Sequence, residues 1–534
     1  MSPNAFQHSG VGKIPKKSAL LRAKFYLPIL VLVIAVVLAV VAYPSKSPNS
    51  ASLSIGNAVL GTSMAQRPGL TRSGLQCGPN IRQVTWSKYS PMCEPKFTGN
   101  NGGSTSPGVT KNTITITYRV PASSLGGLVA SFFPAQLVGT QAQALQTMQT
   151  YIDLFNKEFE LYNRHVVLKT FVGKGNELTE LQGQGQEQAQ QDALTAKADG
   201  AFADVSLLAS TQLYDQDLAN SHIISIGAIA QPQSWFESYS PYEYSPNGTC
   251  DAEANVSATI IGRAMANQDA IFAGEGAFTK QKRKFGLIYP ENPSYAGCAL
   301  ELAKIIATKY HSPMAREVAY TINIQQAVPQ ATNVIAQMKA NGVTSIVCAC
   351  DPLFPIWLAL AANQQNYSPE WLATNFGDIF GQKVSTSQWS HDISGGLVTQ
   401  PKLQQEAYLA YKMEDPTGTP SPEFASIYEP LLLLFSGLQA AGPDLNPATF
   451  EQGVFHLPTS LPGGQFGSWS FGQGTFNPIT NFSILRWDPH AISKQDNLPG
   501  TMVPCDGGKR FPSSVSGADQ VPTGVQLNCP KVSG

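Results

Sequence analysis

The sequence contains few charged residues and no motif of a known catalytic or nucleotide-binding site. Only 13% of its 534 residues are charged and the formal net charge is −1, so no strongly charged surface is predicted to attract nucleic acid. The HExxH, GxSxG and P-loop patterns are absent, as are a CxxC pair and a nearby histidine pair for a metal. We therefore predict a protein that is not an enzyme, needs no cofactor and has no nucleic-acid partner.

Residues 25–43 form a long hydrophobic segment without any charged residue. Roughly 20 apolar residues in a helix cross a bilayer, and basic residues precede this segment while only Lys46 closely follows it. These features predict a cytoplasmic tail at 1–24, a transmembrane anchor at 25–43, and a single-pass cell-membrane protein whose C-terminal bulk is extracytoplasmic. The alternative is a signal peptide that is cleaved after Ala42, which gives a secreted protein, although the segment is longer than a usual signal peptide core.

The eight cysteines form an even set in a compartment where disulfide bonds persist. The favoured bridges are Cys77–Cys93 and Cys505–Cys529, because each closes a short loop in a flank that lacks a core of its own. Cys250–Cys298 is a further candidate, and the pairing of these two cysteines and of Cys348 and Cys350 stays open. Cys348 and Cys350 lie on one predicted strand, where an extended chain separates them too far for an easy mutual bond.

The chain is predicted to contain a long α/β region between two irregular flanks. Residues 44–108 are rich in Ser, Pro, Gly and Asn, which is typical of a linker, and residues 491–534 are predicted to be a disulfide-stapled tail. Between them, strand-like and helix-like segments alternate, beginning with the period-two pattern of 113–120. The alternation restarts after 234–250, which predicts two Rossmann-like lobes with parallel sheets: lobe 1 at about 109–235 and 395–455, and lobe 2 at about 250–378 and 465–490.

The ligand site is predicted at the carboxyl ends of the strands, as in other open α/β sheets. Ser210 and Thr211 follow one such strand, but they are also suited to cap the next helix, and Asp351 before a proline equally fits a helix cap. Aromatic side chains in these turns either pack or close over a ligand. The candidate ligand-binding residues are Ser123, Ser124, Ser210, Thr211, Tyr289, Tyr295, Asp351, Asn375 and Asp378.

Several local motifs follow one another over most of the α/β region, although no single one is specific. The motifs are GVTKNTITI at 108–116, ASTQ at 209–212, IYPENPSYAG at 288–297, MKANGVTSIVCACDP at 338–352, WLATN at 371–375 and YEPLLLL at 428–434. Their order resembles the type 1 periplasmic binding proteins, specifically the branched-chain amino acid (Leu/Ile/Val) branch that feeds ABC importers.

The resemblance implies two lobes that close on a ligand by a hinge of three crossing segments, near 234–250, 378–395 and 456–465. It assigns Ser210 and Thr211 to the turn that holds a ligand carboxylate, and Asp378 or Asp351 to a ligand ammonium group. The expected hydroxyl is missing from the turn at 227–230, which leaves an amide, a small organic acid or an aromatic compound open as the ligand beside an amino acid. The implied partner is an ABC permease. A membrane-tethered receptor that signals through a partner, and an extracytoplasmic enzyme, are the alternatives.

Overall fold

The computed structural model describes residues 68–121, 139–206, 209–228, 231–373, 384–396, 405–493, 497–513, 521 and 527–530. These residues all belong to one compact unit that begins at residue 58. Its strands are β1 and β2 in a short antiparallel pair (Gly69–Leu70, Gln76–Cys77), β3–β7 in the first sheet (Thr113–Val120, His165–Val172, Ala203–Asp204, Ile224–Ile226, Glu243–Tyr244), and β8–β15 in the second (Phe285–Pro290, Arg316–Tyr320, Ser345–Cys348, Glu370–Ala373, Asp392–Gly396, Asn481–Ile492, Pro499–Pro504, Arg510–Pro512).

Thirteen α-helices connect and cover these strands within the described ranges. In chain order, α1–α5 are Gln141–Glu158, Glu177–Leu181, Gln186–Ala198, Gln212–Asn220 and Gln233–Ser238; α6–α10 are Cys250–Thr259, Pro293–Lys309, Ala327–Ala340, Phe354–Gln364 and Thr386–Trp389; α11–α13 are Glu406–Glu414, Phe424–Ala441 and Pro447–Phe455. A π-helical turn, Ile260–Met265, directly continues α6.

The first sheet has the strand order β4-β3-β5-β6-β7, and all its neighbouring strands are parallel. Residues alternate between the two faces of a strand, so Ile114, Ile116 and Tyr118 of β3 pack into one helical layer. The opposite face of β3 carries polar side chains, among which Arg119 stacks on Tyr214 of the other layer. One layer contains α1, α12 and α13, and the other contains α3 and α4. The α/β prediction is therefore confirmed for this sheet.

The second sheet repeats this order in β9-β8-β10-β11-β12, again with parallel neighbours. Strand β13 then adds antiparallel to β12, and β14 and β15 both pair antiparallel with β13. Helices α8 and α9 pack on one face, whereas α6, the π-helical turn and α7 pack on the other. Each lobe thus consists of a sheet between two helical layers, which is the doubly wound arrangement.

The predicted linker at 44–108 is wrong as a free spacer from residue 68 onward, because this part packs on the first lobe. Val84 and Tyr89 are buried in the first lobe's core, and the Tyr89 hydroxyl donates to the carbonyl of Gly467 at 2.7 Å. Glu406 at the start of α11 accepts a hydrogen bond from the Ser87 hydroxyl at 2.5 Å. A segment whose composition indicates a linker is thus anchored by a few buried side chains that have neither helical nor strand spacing, and by hydrogen bonds such as that from Gln83 to the carbonyl of Glu158.

The C-terminal tail and two hinge segments also differ from the prediction. The described residues after 491 are not a separate tail, since β14 and β15 extend the second sheet and Phe511 is fully buried beneath it. The second crossing lies after Gly396 rather than at 378–395, because β12 still pairs with β11.

The third crossing lies just before β13 rather than at 456–465. Trp469, predicted to complete the second lobe, is buried in the first lobe's core, and so is Ile479, two residues before β13 begins.

All eight cysteines form disulfide bonds. Cys77–Cys93 and Cys505–Cys529 are present as predicted, and so is Cys250–Cys298. The expectation that Cys348 and Cys350 do not bond easily is wrong, because β10 ends at Cys348 and the chain leaves the extended conformation there. Their Cα atoms are 5.1 Å apart, within the usual range for a disulfide.

The predicted membrane anchor at 25–43 lies outside the described residues. Within the described ranges, α12 has the length and apolar composition of a membrane span, but 94% of it is buried inside the protein. Its leucines pack against α1 and the first sheet. Helix α12 is therefore the central core helix of the first lobe.

Candidate functional site

The strand orders place one candidate ligand crevice in each lobe. In an open parallel sheet, ligands bind outside the carboxyl ends of the strands where the strand order reverses. That point lies between β3 and β5 in the first lobe and between β8 and β10 in the second. The turn with Ser210 and Thr211 follows β5, whereas Tyr295 follows β8 and Asp351 follows β10. The structure thus brings these predicted residues to the two reversal points.

In the first lobe, both predicted hydroxyl groups are used inside the lobe. Thr211 is the N-cap of α4, where its hydroxyl oxygen accepts the N–H of Tyr214 and its hydroxyl donates to Glu180. The Ser210 hydroxyl donates to Asp215 Oδ2 at 2.6 Å. The capping interpretation therefore accounts for Thr211, and both hydroxyl groups donate to carboxylate groups of their own lobe.

A buried arginine at the end of β3 organises this turn, and sequence reasoning missed it. Arg119 Nη1 and Nη2 donate to the two carboxylate oxygens of Glu180 at 2.9 and 3.1 Å, and Nη1 lies 3.4 Å from Asp192 Oδ2. Nη2 also donates to the carbonyl of Ala209, and the guanidinium stacks 3.9 Å above the Tyr214 ring. The sequence does contain a signal for this role, because Arg119 is the single charged residue in the strand TITITYRV.

Acidic side chains surround the same turn. Asp215 is buried beside Asp204 of β5, and Glu243 of β7 faces both of them. Burial is the largest cause that raises the pKa of Asp215 to about 7, and the Ser210 hydroxyl and Arg119 counteract it. Burial likewise raises the pKa of Asp204 and of Glu243. The first lobe's crevice therefore has a floor of carboxyl groups whose ionised forms are disfavoured.

In the second lobe, Asp351 is fixed by three hydrogen bonds. Its Oδ1 accepts the N–H groups of Leu353 and Phe354 at 2.8 and 3.2 Å, and its Oδ2 accepts the Tyr320 hydroxyl at 2.5 Å. The Tyr320 ring stacks on Phe354 with ring centroids 3.8 Å apart. Burial raises the pKa of Asp351. Asp351 thus acts as a helix cap, and Tyr320, which was missed, is its partner at the end of β9.

The two predicted tyrosines have different surroundings. Tyr295 lies in the first turns of α7, and burial together with the charges of Asp351 and of Asp215 from the other lobe raises the pKa of its hydroxyl. Tyr289 is in β8 and packs against the core formed by α6 and α7. Tyr295 therefore lies at the reversal point of the second lobe, where the charge of Asp215 in the first lobe also affects its pKa. Ser123, Ser124, Asn375 and Asp378 lie outside the described residues.

Helix α2 of the first lobe reaches the second lobe. Leu178 lies against a patch of the second lobe made by Tyr320, Ile324 and Trp357. The Asn292 side chain, just before α7, donates to the carbonyl of Leu181 at 3.4 Å. This contact closes one side of the space between the two reversal points.

A cavity of about 160 Å³ enters the second lobe beside the β10 reversal point, between α6, α7 and the sheet. Its inner wall is apolar and buried, and consists of Ile261, Met265, Leu302, Val347, Leu372 and Ile393. Its mouth is partly exposed and consists of Cys250, Tyr295, Cys298, Ala349 and Cys350. Two of the four disulfide bonds therefore stand at this mouth. In the part of the chain that the structure describes, no group of three or more metal-ligating side chains is present.

No protein-family model matches the sequence, and no curated protein matches it. Solved structures do match. A fatty acid ABC transporter substrate-binding protein from Thermomonospora curvata is 16% identical with a TM-score of 0.55, over 80% of this chain and 100% of that chain. A leucine-, isoleucine-, valine-, threonine- and alanine-binding protein from Brucella ovis is 14% identical with a TM-score of 0.53, over 78% and 98%.

A further match is a solute-binding protein of an ABC transporter from Rhodopseudomonas palustris BisB5, in complex with 3,4-dihydroxybenzoic acid. It is 12% identical with a TM-score of 0.50, over 75% of this chain and 98% of that chain. At these identities the likeness shows the fold, which is the type 1 periplasmic binding fold of ABC transporter substrate-binding proteins. The resemblance predicted from the sequence is confirmed at this level. The matched proteins are solute-binding proteins rather than enzymes.

Proposed function

We propose that this chain binds a small molecule outside the cytoplasm, between its two lobes, and delivers it to an ABC permease in the membrane. The observation that carries this proposal is the pair of strand-order reversals, one in each lobe, with Tyr295 and Asp351 following the two strands that flank the reversal of the second lobe. Proteins of this fold close on ligands by hinge motion, and three chain crossings join the lobes here. The matched proteins are named for, or bound to, a fatty acid, aliphatic amino acids and threonine, and an aromatic acid. The ligand proposed here is therefore an amino acid or a related amide or small organic acid.

The test is ligand-dependent thermal stabilisation of the full chain in lipid nanodiscs, with a panel of amino acids, amides, aromatic acids and fatty acids. A ligand at 100 times its Kd stabilises the folded state by about 2.7 kcal/mol, which is easily measured as a rise in Tm. Tyr295→Phe is expected to reduce the rise, because it removes a hydroxyl at the reversal point of the second lobe. Tyr310→Phe, just beyond the other end of α7, is the matched control. If no small molecule stabilises the chain while a hydrolase assay is positive, the proposal fails.

We further propose that residues 25–43 anchor the protein in the cell membrane with its bulk outside. The tether raises the effective concentration of the binding protein at its permease, provided that the linker spans the distance between them. Membrane fractionation and protease treatment of intact cells test this proposal. Protection of the bulk from protease, or recovery of a soluble chain that starts after residue 42, contradicts the anchored orientation.

A further inference from the structure

We propose that the cavity between α6 and α7 receives an apolar group of about six carbon atoms of the bound ligand. The same ligand carries a hydroxyl or amino group that donates a hydrogen bond to the carboxyl group of Glu253. The ligand class is therefore a small aromatic or branched alkyl alcohol or amine. This inference rests on the proposed function, because the ligand enters from the space between the lobes.

The size of the cavity sets the size of the apolar group. Its volume of about 160 Å³ is close to that of an engineered 150 Å³ cavity in another protein, which stays dry and binds benzene. The inner wall supplies isoleucine, leucine, valine and methionine side chains, which make dispersion contacts but no hydrogen bonds. An apolar ring is thus a better occupant than ordered water.

The polarity of the lining selects the polar group. Glu253 lies one helical turn inside the mouth formed by Cys250, and it is the one charged residue among the lining residues. Within the described ranges its carboxyl group has no hydrogen bond or ion pair. The Glu253 side chain is partly exposed and lines the cavity. Burial nevertheless raises the pKa of its carboxyl group. A donor group on the ligand would satisfy this carboxyl, whereas an anion beside it would have no compensating cation.

The mouth of the cavity lies at the carboxyl end of β10, next to the reversal point of the second lobe. Tyr295 lines the cavity, and its hydroxyl also senses the charges of Asp351 and of Asp215 in the first lobe. Mouth residues are partly exposed while inner residues such as Met265 and Leu302 are buried, so the cavity has its opening at the carboxyl end of β10. A ligand held between the lobes can therefore insert its apolar group past Tyr295.

The wall of the cavity contains the π-helical turn Ile260–Met265. The N–H of Ala266 donates to the carbonyl of Ile261 at 2.7 Å, five residues earlier, which is the spacing of a π-helix. Such turns are rare and frequently occur at functional sites. This one widens the helix where Ile260, Ile261 and Met265 face the cavity. The irregularity lies at the bottom of the proposed subsite.

The test is isothermal titration of the full chain in nanodiscs with benzylamine, benzyl alcohol, benzoate and methylamine. Benzylamine and benzyl alcohol are expected to bind. Benzoate is expected not to bind because it carries a negative charge, and methylamine is expected not to bind because it has no ring to fill the cavity. Ala299→Leu fills the cavity and is expected to weaken benzylamine about 100-fold, because each excluded carbon accounts for a roughly fourfold affinity gain. Glu253→Gln is expected to weaken benzylamine about tenfold and benzyl alcohol less. Leu300→Ala, exposed on the same helix, is the control.

Ala254→Val fills less of the cavity and is expected to give an intermediate loss, so the test remains decisive if Ala299→Leu lowers the folded fraction. The inference is overturned if Ala299→Leu and Ala254→Val bind benzylamine as tightly as the wild-type chain, if benzoate binds as tightly as benzylamine, or if no aromatic probe binds. In each of these cases, a ligand from the wider thermal-shift panel would leave the proposed function standing. Failure of every ligand in both assays removes both proposals.

Discussion

Asp215 is expected to make the protein less stable as the pH rises, and Asp215→Asn is expected to remove this loss. The carboxyl group is buried at the first turn of α4, where it accepts the hydroxyl of Ser210 at 2.6 Å and that of Ser225 at 3.3 Å. Arg119, the nearest cation, is already engaged by Glu180. Burial therefore dominates, and it raises the pKa of Asp215 to about 7 from an ordinary value of 3.8.

The sign and size follow from proton linkage. Between pH 4 and pH 7 the unfolded chain loses the Asp215 proton while the folded protein keeps it, so rising pH favours unfolding. This contribution is fully present below about pH 4 and is lost as the pH rises through about 7. A difference of about 3 in pKa corresponds to about 4 kcal/mol, at about 1.4 kcal/mol for each pKa unit. An amide of the same shape does not ionise, and its oxygen still accepts the Ser210 hydroxyl.

The assay is urea unfolding followed by tryptophan fluorescence at pH 5, 6, 7 and 8. The other buried carboxyl groups, among them Asp204 and Glu243, titrate in both proteins, so the quantity of interest is the difference in unfolding free energy between Asp215→Asn and wild type. This difference is expected to move in favour of the variant by a few kcal/mol from pH 5 to pH 8. Asp153→Asn, exposed on α1, is the control. A difference that is the same at pH 5 and pH 8 refutes the reasoning.

Three further predictions concern packing and cross-links. Arg119→Met leaves its two carboxylate partners buried without a cation, so it is expected to cost about 3–5 kcal/mol of unfolding free energy in urea. Serine at both Cys77 and Cys93 opens a loop of 16 residues and is expected to cost about 3 kcal/mol, seen as a lower Tm, whereas no change would mean that the bridge does not form in the protein. Gly453→Ala in α13 places a methyl group 2.7 Å from the backbone of α12 and is expected to lower Tm by several degrees. Gly297→Ala in α7 meets open space and is expected to leave Tm unchanged or slightly raised.

Local sequence patterns predicted the strands β3 and β4 well. The period-two alternation at 113–120 corresponds to the observed β3. The alternation of strand-like and helix-like segments also predicts a strand at 165–172, which corresponds to β4. In β3, which lies inside its sheet, the apolar positions of the alternation are buried, whereas β4 is an edge strand and its Val172 is 69% exposed. The strand β14 was missed because a proline stands at each of its ends, Pro499 and Pro504, and because its polar and apolar residues do not alternate. Proline is tolerated there because β14 lies at the edge of its sheet, where one side needs no ladder hydrogen bonds.

The turns of the candidate site were predicted, but the state of their side chains was not. That Ser210 and Thr211 follow a strand is a local property of the sequence. The groups that accept their hydrogen bonds are Asp215 in α4 and Glu180 in α2, and the sequence pattern does not show these pairings. The role of Glu180 as a shared acceptor for Arg119 and Thr211 depends on three segments that meet only in the folded lobe. The cavity is still less visible in the sequence, since its wall combines two helices and three strands. The apolar residues of these helices and strands would fit equally well in a hydrophobic core that contains no cavity.

The two lobes do not follow one another along the chain, and this has a consequence for the order in which the protein can mature. The first lobe lacks α11–α13 until residues 406–455 are made, and the second lobe lacks its last three strands until residue 512 is made. Until then β12 exposes an unpaired edge, which is a site for pairing with other chains. Neither lobe can be completed while the ribosome is still translating the middle of the message. A chaperone or an export factor that holds the nascent chain extended until its final strands emerge would therefore be expected to raise the yield of native protein.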